Sequence, residues 1–149
     1  HLRPRRQRQM CIRDSVERGL KYSMKDITWA HQEQTKIYNN FRKFFENYDV
    51  LICPAASVSP FPHEQLFVEE INNEKLPTYM RWLALSYAPT MAIPCAWALP
   101  CGLDHKNLPF GIQLIAPAGN DAKLSEIALA IEDALSNYEE TKRAIPDIV

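Results

Sequence analysis

Glycine is scarce in this 149-residue chain: four residues (Gly19, Gly102, Gly111 and Gly119) stand against eleven prolines. None of the four lies within two residues of any serine (Ser15, Ser23, Ser57, Ser59, Ser86, Ser125, Ser136). Backbone N–H groups converge on a developing oxyanion only where a loop takes conformations that side chains forbid. Beside its own serines the chain offers no such loop. Also missing is any run of about 20 consecutive apolar residues, which leaves no candidate for a membrane-spanning helix. Neither sign of charge is in excess: 17 Lys and Arg against 18 Asp and Glu give a net charge of −1. Electrostatics therefore makes no case for nucleic acid or an anionic membrane as a partner. The four cysteines (Cys11, Cys53, Cys95, Cys101) show no C-x-x-C spacing, and His1, His31, His63 and His105 are scattered. His63-Glu64 lacks the second histidine of a zincin helix, so nothing points to a metal site. Small buried thiols in a reducing, cytoplasmic compartment are the expectation.

What is present is apolar mass. Hydrophobic residues make up 46% and charged residues 23% of the chain, the profile of one soluble globular domain with a real core. The start is different. Residues 1–13 hold five arginines (Arg3, Arg5, Arg6, Arg8, Arg13) and no acid. They have neither the apolar h-region of a signal peptide nor an amphipathic period. The string from His1 to Ser15 resembles a translated sequencing adaptor. The expected division is therefore 1–15, non-native or disordered, and 16–149, one piece of a single domain.

From Ser23 the apolar positions Ile27, Ala30, Ile37, Tyr38, Phe41, Phe44, Phe45 and Tyr48 recur at helical spacing, and they predict an amphipathic helix packed on something large. Ser23 and Asp26 form a loose capping box at its start. Val50-Leu-Ile-Cys53, closed by Pro54, predicts a short strand buried on both faces. Residues 54–77, with four prolines, read as a long irregular loop. Thr78–Ala88 is apolar nearly all round and predicts a buried helix ended by Pro89. Ala96–Leu99 and Phe110–Ala116 predict two strands paired through a turn that carries Gly102, Asp104 and Asn107. Asn120 or Asp121 then opens a helix with the stripe Leu124, Ile127, Ala128, Ile131, Ala134, Leu135 and Tyr138. Residues 139–149 read as a frayed end. The order predicts an α/β architecture that belongs to a larger sheet.

Three segments carry a resemblance further. Tyr48-Asp-Val-Leu-Ile-Cys-Pro54, Ile93-Pro-Cys-Ala-Trp-Ala-Leu-Pro-Cys-Gly102 and Leu108-Pro-Phe-Gly-Ile-Gln-Leu-Ile115 occur in that order, followed by the helix from Asp121. Together they resemble the C-terminal region of the amidase-signature family over roughly residues 20–138. Two departures stand out: Ala88–Pro94 lacks the Asn and Gly common there, and Cys95 stands where Ala is common. The resemblance implies a C-terminal part of a mixed-sheet amidase-signature fold with helices packed on the sheet. It also implies acyl transfer from an amide by a serine, a second serine in a cis peptide and a lysine, with no metal or cofactor. No serine pair occurs in this chain, so the expectation is an inactive piece of an enzyme that hydrolyses a small-molecule carboxamide to a carboxylate plus ammonia or an amine.

By the same resemblance Tyr79, Trp82 and Ser86 are candidates for the wall of the substrate pocket, with ordinary core as the competing reading. Gln113 sits mid-strand among apolar neighbours. A buried amide needs hydrogen-bond partners, so it is either a structural tie or a support for the catalytic loop. Other readings remain open. Within the family, the amidase component of a tRNA-dependent amidotransferase is an alternative, and the departure before Pro94 and the absence of basic clustering after residue 25 favour a free-standing amidase over it. Cys95 or Cys101 as a thiol nucleophile would need a nearby base, and only His105 is close in sequence. A non-catalytic binding module would use an exposed 55–76 loop with Phe61 and Phe67 as anchors.

Overall fold

A computed structural model describes residues 12, 13, 15–92 and 94–145. The expectation of a non-native or disordered stretch at 1–15 falls largely outside the described residues. The chain divides into two compact units at Lys36/Ile37.

In the first unit residues 15–19 are helical, and helix α1 (Met24–Phe44) begins after Ser23. The capping box forms. The backbone N–H and the hydroxyl of Ser23 both donate to Asp26 Oδ2, at 2.8 and 2.7 Å, and the Asp26 N–H donates back to Ser23 Oγ at 3.3 Å. The Ser23 hydroxyl, followed by its backbone N–H, holds the Asp26 carboxyl below the usual carboxylate range. Two donors left open at the helix start are thereby used.

The second unit contains the remainder: β1 (Leu51–Pro54), β2 (Glu70–Ile71), β3 (Glu74–Lys75), a 3-10 helix (Tyr79–Leu83), α2 (Ala84–Thr90), β4 (Cys95–Leu103), β5 (Pro109–Ala116) and α3 (Asp121–Ser136). Strands β1, β5 and β4 form an antiparallel sheet in that order, with β5 central. Leu51 lies opposite Ile115 and Cys53 opposite Gln113, while on the other side Cys95 faces Ala116 and Leu99 faces Ile112. One sheet face carries Cys95, Leu99, Leu114 and Ala116, and α3 lays Leu124 and Ala128 onto it. Val50, Ile112 and Ile131 close the margin of that core. The helical stripe read from the sequence thus has its i, i+4, i+7 face on the sheet. Asn120 stands at the cap position; its side chain makes no capping bond, and its carbonyl accepts from the Leu124 N–H at 2.8 Å.

The α/β architecture matches the expectation, and several local readings are corrected. No residue of α1 is fully buried: of its apolar stripe Ile37, Phe41 and Phe44 are half-buried, while Ile27, Ala30 and Tyr38 are exposed. At its end Phe44 packs on the aromatics that follow the helix, stacked on Tyr48 at 4.6 Å and edge-on to Phe45 at 5.2 Å. Strand β1 is an edge strand rather than one buried on both faces: its residues alternate between half-buried and exposed, and Ile52 is 50% exposed. The 54–77 segment is not wholly irregular. Asn72 and Asn73, at φ 53° and 65°, turn a small β2–β3 hairpin whose loop needs two consecutive left-handed residues.

The first strand of the other hairpin continues past Leu99 to Leu103, through an irregularity between Pro100 and Leu103 where proline offers no N–H to the ladder. Its turn uses the residues singled out: Gly102 and Asn107 have φ of 71° and 59°. Asp104 Oδ1 accepts from the N–H groups of Lys106 at 2.8 Å and Leu108 at 3.0 Å. Residues 139–145 are not frayed. Thr141 Oγ1 donates to the Leu135 carbonyl at 2.9 Å, and the Glu140 carbonyl occupies the place where any side chain at Gly102 would begin.

Candidate functional site

The segment Thr78–Ala88 does not form one buried helix. It splits into the 3-10 helix Tyr79–Leu83 and α2, and Pro89 lies inside α2 as its only buried residue. Tyr79, Met80, Ser86 and Tyr87 are exposed. Pro89 has no N–H, so the Leu85 carbonyl four residues earlier loses its helical donor. That carbonyl is satisfied from the sheet: Gln113 Nε2 donates to Leu85 O at 2.9 Å and to the Pro54 carbonyl at 3.1 Å. Two carbonyl acceptors fix which end of the amide points their way, since only the amino group can donate. Gln113 is therefore a tie between the central strand, the end of β1 and the middle of α2.

The three wall candidates are placed as follows. Residues three apart in a 3-10 helix lie on the same side, which puts Tyr79 and Trp82 together on one flank. Tyr79 meets Phe67 edge-on at 5.8 Å, and Trp82 meets Phe61 edge-on at 5.7 Å. Two aromatics of the 55–76 loop are thus packed on the candidate wall and are not free anchors. The Trp82 Nε1–H is buried and has no acceptor among the described residues. Ser86 is exposed and makes no hydrogen bond to Tyr79 or Trp82 among the described residues. Gln113 joins this group through the α2 backbone next to Ser86 rather than through a side chain.

From the sequence Pro89 reads as the end of the helix and Phe61 and Phe67 as loop anchors, and Leu85 is missed. The proline inside an apolar helical segment was a usable signal, because it leaves one carbonyl that needs a donor from elsewhere. The loop aromatics had none, since edge-to-face pairing depends on how the loop folds back.

Other chemistry is thin. Cys95 is buried, and its thiol donates to the Pro117 carbonyl at 3.2 Å and lies 3.6 Å from that of Ala116. That is the setting of a small core thiol rather than a nucleophile. His105 is exposed in the hairpin turn. Asp104 has its carboxyl held below the usual range, chiefly by the Leu108 N–H, in a turn-forming role. Among the described residues no group of three or more His, Cys, Asp or Glu is placed to hold a metal, no helix is long and apolar enough to cross a membrane, and no serines are adjacent. The arrangement can shape a binding wall. Among the described residues it brings no nucleophile and base together.

A family model described as Amidase matches residues 5–124. Curated relatives include glutamyl-tRNA(Gln) amidotransferase A subunits: that of Streptomyces avermitilis is 34% identical over 106 residues, and that of Alkaliphilus metalliredigens 31% identical over 105 residues. Each match covers 70% of this chain and 20% of the relative, so the chain spans about a fifth of the length of the curated relatives it matches. Among solved structures, the corresponding glutamyl-tRNA(Gln) amidotransferase protein from Thermotoga maritima superposes with a TM-score of 0.69 at 23% identity, covering 100% of this chain and 31% of that one. A bacterial aryl acylamidase of the amidase signature family superposes with a TM-score of 0.75 at 19% identity, covering 91% and 29%. At these identities the superpositions speak for the fold. Family match, ordered motifs and fold agree: the chain belongs to the amidase family and carries part of the amidase-signature fold.

Proposed function

We propose that this chain is a C-terminal part of an enzyme that hydrolyses a small-molecule carboxamide to a carboxylate plus ammonia or an amine. Its own contribution is one wall of the acyl side of the pocket, with Tyr79, Trp82 and Ser86 facing the substrate. Gln113 sets the position of that wall by holding α2 to the central strand. The observation that supports this most is the double hydrogen bond of Gln113, which fixes the Leu85–Ser86 backbone to β5 inside the segment that matches the amidase family. Hydrolysis itself needs a nucleophile, its base and oxyanion donors. In this reading those come from elsewhere in the enzyme, and the chain alone is inactive.

A second reading has a specific observation behind it. The curated relatives at 30–34% identity are glutamyl-tRNA(Gln) amidotransferase A subunits, which favours the amidase component of a tRNA-dependent amidotransferase. Both readings share the amide chemistry. Either enzyme would act in the cytoplasm.

The test is ammonia release by the purified chain from a panel of aryl and aliphatic primary amides, with glutamine included. No turnover on any amide is expected. Turnover above the buffer rate, lost on serine modification, overturns the reading of the chain as a wall without machinery.

A further inference from the structure

A cleft of about 220 Å³ lies in the second unit, away from Trp82 and Gln113. One side is the last two turns of α1 and the residue that follows it, which present Tyr38, Phe41 and Phe45 at steps of three and four with Arg42 among them. The other side is built by Ala92 and Pro94 ahead of β4 and by Pro117 and Ala118 after β5. Its lining is therefore apolar on both sides with one fixed positive charge.

The chemistry of that lining selects a ligand class. Three aromatic rings and two prolines suit a flat apolar group. Arg42 makes no ion pair or hydrogen bond among the described residues. A guanidinium is always charged and presents a planar fork of donors that matches a carboxylate. The volume is below the roughly 300–1,000 Å³ of drug-sized sites, so it suits a single ring and not a larger ligand. We infer that this cleft binds a small aromatic carboxylate, its ring between the α1 aromatics and the two prolines and its carboxylate on Arg42. The inference does not depend on the amide reading, because no residue of the candidate wall takes part.

The test uses the full chain with benzoate as the probe and benzyl alcohol as its uncharged counterpart. The readouts are the backbone amide signals of Ala92 and Ala118 in a proton–nitrogen NMR titration. Saturable shifts of both signals are expected, with a dissociation constant in the roughly millimolar range that a ligand of this size reaches. Arg42→Gln should weaken benzoate binding about tenfold or more, the scale of a charge-assisted hydrogen bond. Lys43→Gln, which changes an exposed neighbour outside the cleft, should leave it within about twofold. Since no residue of α1 is buried, neither substitution removes core packing. Absence of saturable shifts overturns the proposal, and so does undiminished benzoate binding by Arg42→Gln or equal binding of benzyl alcohol.

Discussion

Replacing Gln113 by leucine removes the amide and keeps the volume, which isolates the two hydrogen bonds. A neutral hydrogen bond contributes a net of about 0.5–1.5 kcal/mol, so two bonds set a range of about 1–3 kcal/mol. The two are unequal. The Pro54 carbonyl accepts at an exposed position and can turn to water, whereas the bond to Leu85 O is partly buried. Most of the loss therefore belongs to Leu85, and an overall destabilisation of about 1–2 kcal/mol is expected. The assay is urea unfolding, read as a shift in midpoint at constant slope. Pro89 supplies the decisive control. Pro89→Ala restores an N–H four residues after Leu85, so α2 can satisfy that carbonyl by itself. In the Pro89→Ala background Gln113→Leu should be less damaging by about 1 kcal/mol. The effect of Pro89→Ala on the unfolded chain is the same in both backgrounds and cancels in the cycle. A coupling indistinguishable from zero would refute the idea that Gln113 replaces the donor that Pro89 lacks.

Further outcomes follow from the same structure. Gln113→Glu should make stability fall as pH rises: the introduced carboxyl can donate only when protonated, so its folded pKa lies above the usual value of about 4.3 and its support is lost above that folded value; pH-dependent urea midpoints check this. Leu114→Ala, at a fully buried position on the central strand, should cost about 2–5 kcal/mol, while Ile52→Ala at the half-exposed edge should cost far less, both by urea unfolding. Gly102→Ala should release residues 139–145 to proteolysis, because it strains a backbone at φ 71° and places a methyl against the Glu140 carbonyl. For the capping box, the Asp26 pKa lies below its ordinary value of 3.8, so its support of α1 is present above that value and is lost as pH falls through the lower folded one. Helicity followed by far-UV circular dichroism should show this acid step in the parent chain and a smaller one in Ser23→Ala, which keeps the backbone N–H bond to Asp26.

Much of the fold was legible from local chemistry. The Ser23–Asp26 cap, the hairpin turn with Gly102, Asp104 and Asn107, and the α3 stripe each depend on residues a few positions apart; the first two form as read, and the stripe reaches the core through Leu124, Ala128 and Ile131 while Ala134 and Tyr138 are exposed. Misreadings arose where the outcome depends on distant or absent partners. The burial expected of β1 and α1 is only partly met, so Ile52 stays exposed and Ile37, Phe41 and Phe44 of the α1 stripe are half-buried. The Asn72-Asn73 turn was overlooked because its strands are two residues each, too short to alternate visibly.

At the site, Gln113 was legible as an amide in need of partners, though it is half-buried and not buried, and which carbonyls it meets depends on Pro89 and on strand register. The wall residues were read on one continuous helix. The change from 3-10 to α geometry at Ala84 keeps Tyr79 and Trp82 together, while Ser86 stands apart on the next element.

The central claim is that this chain carries pocket-wall and positioning residues of an amidase and no acyl-transfer nucleophile. Incubation with a serine-directed fluorophosphonate probe, followed by mass spectrometry of the intact chain and its peptides, tests it most directly. The expected result is no stoichiometric adduct on any serine and the same trace signal after denaturation. A stoichiometric adduct on one serine of the folded chain, abolished by unfolding, would mean that an activated nucleophile is present, and would contradict the account.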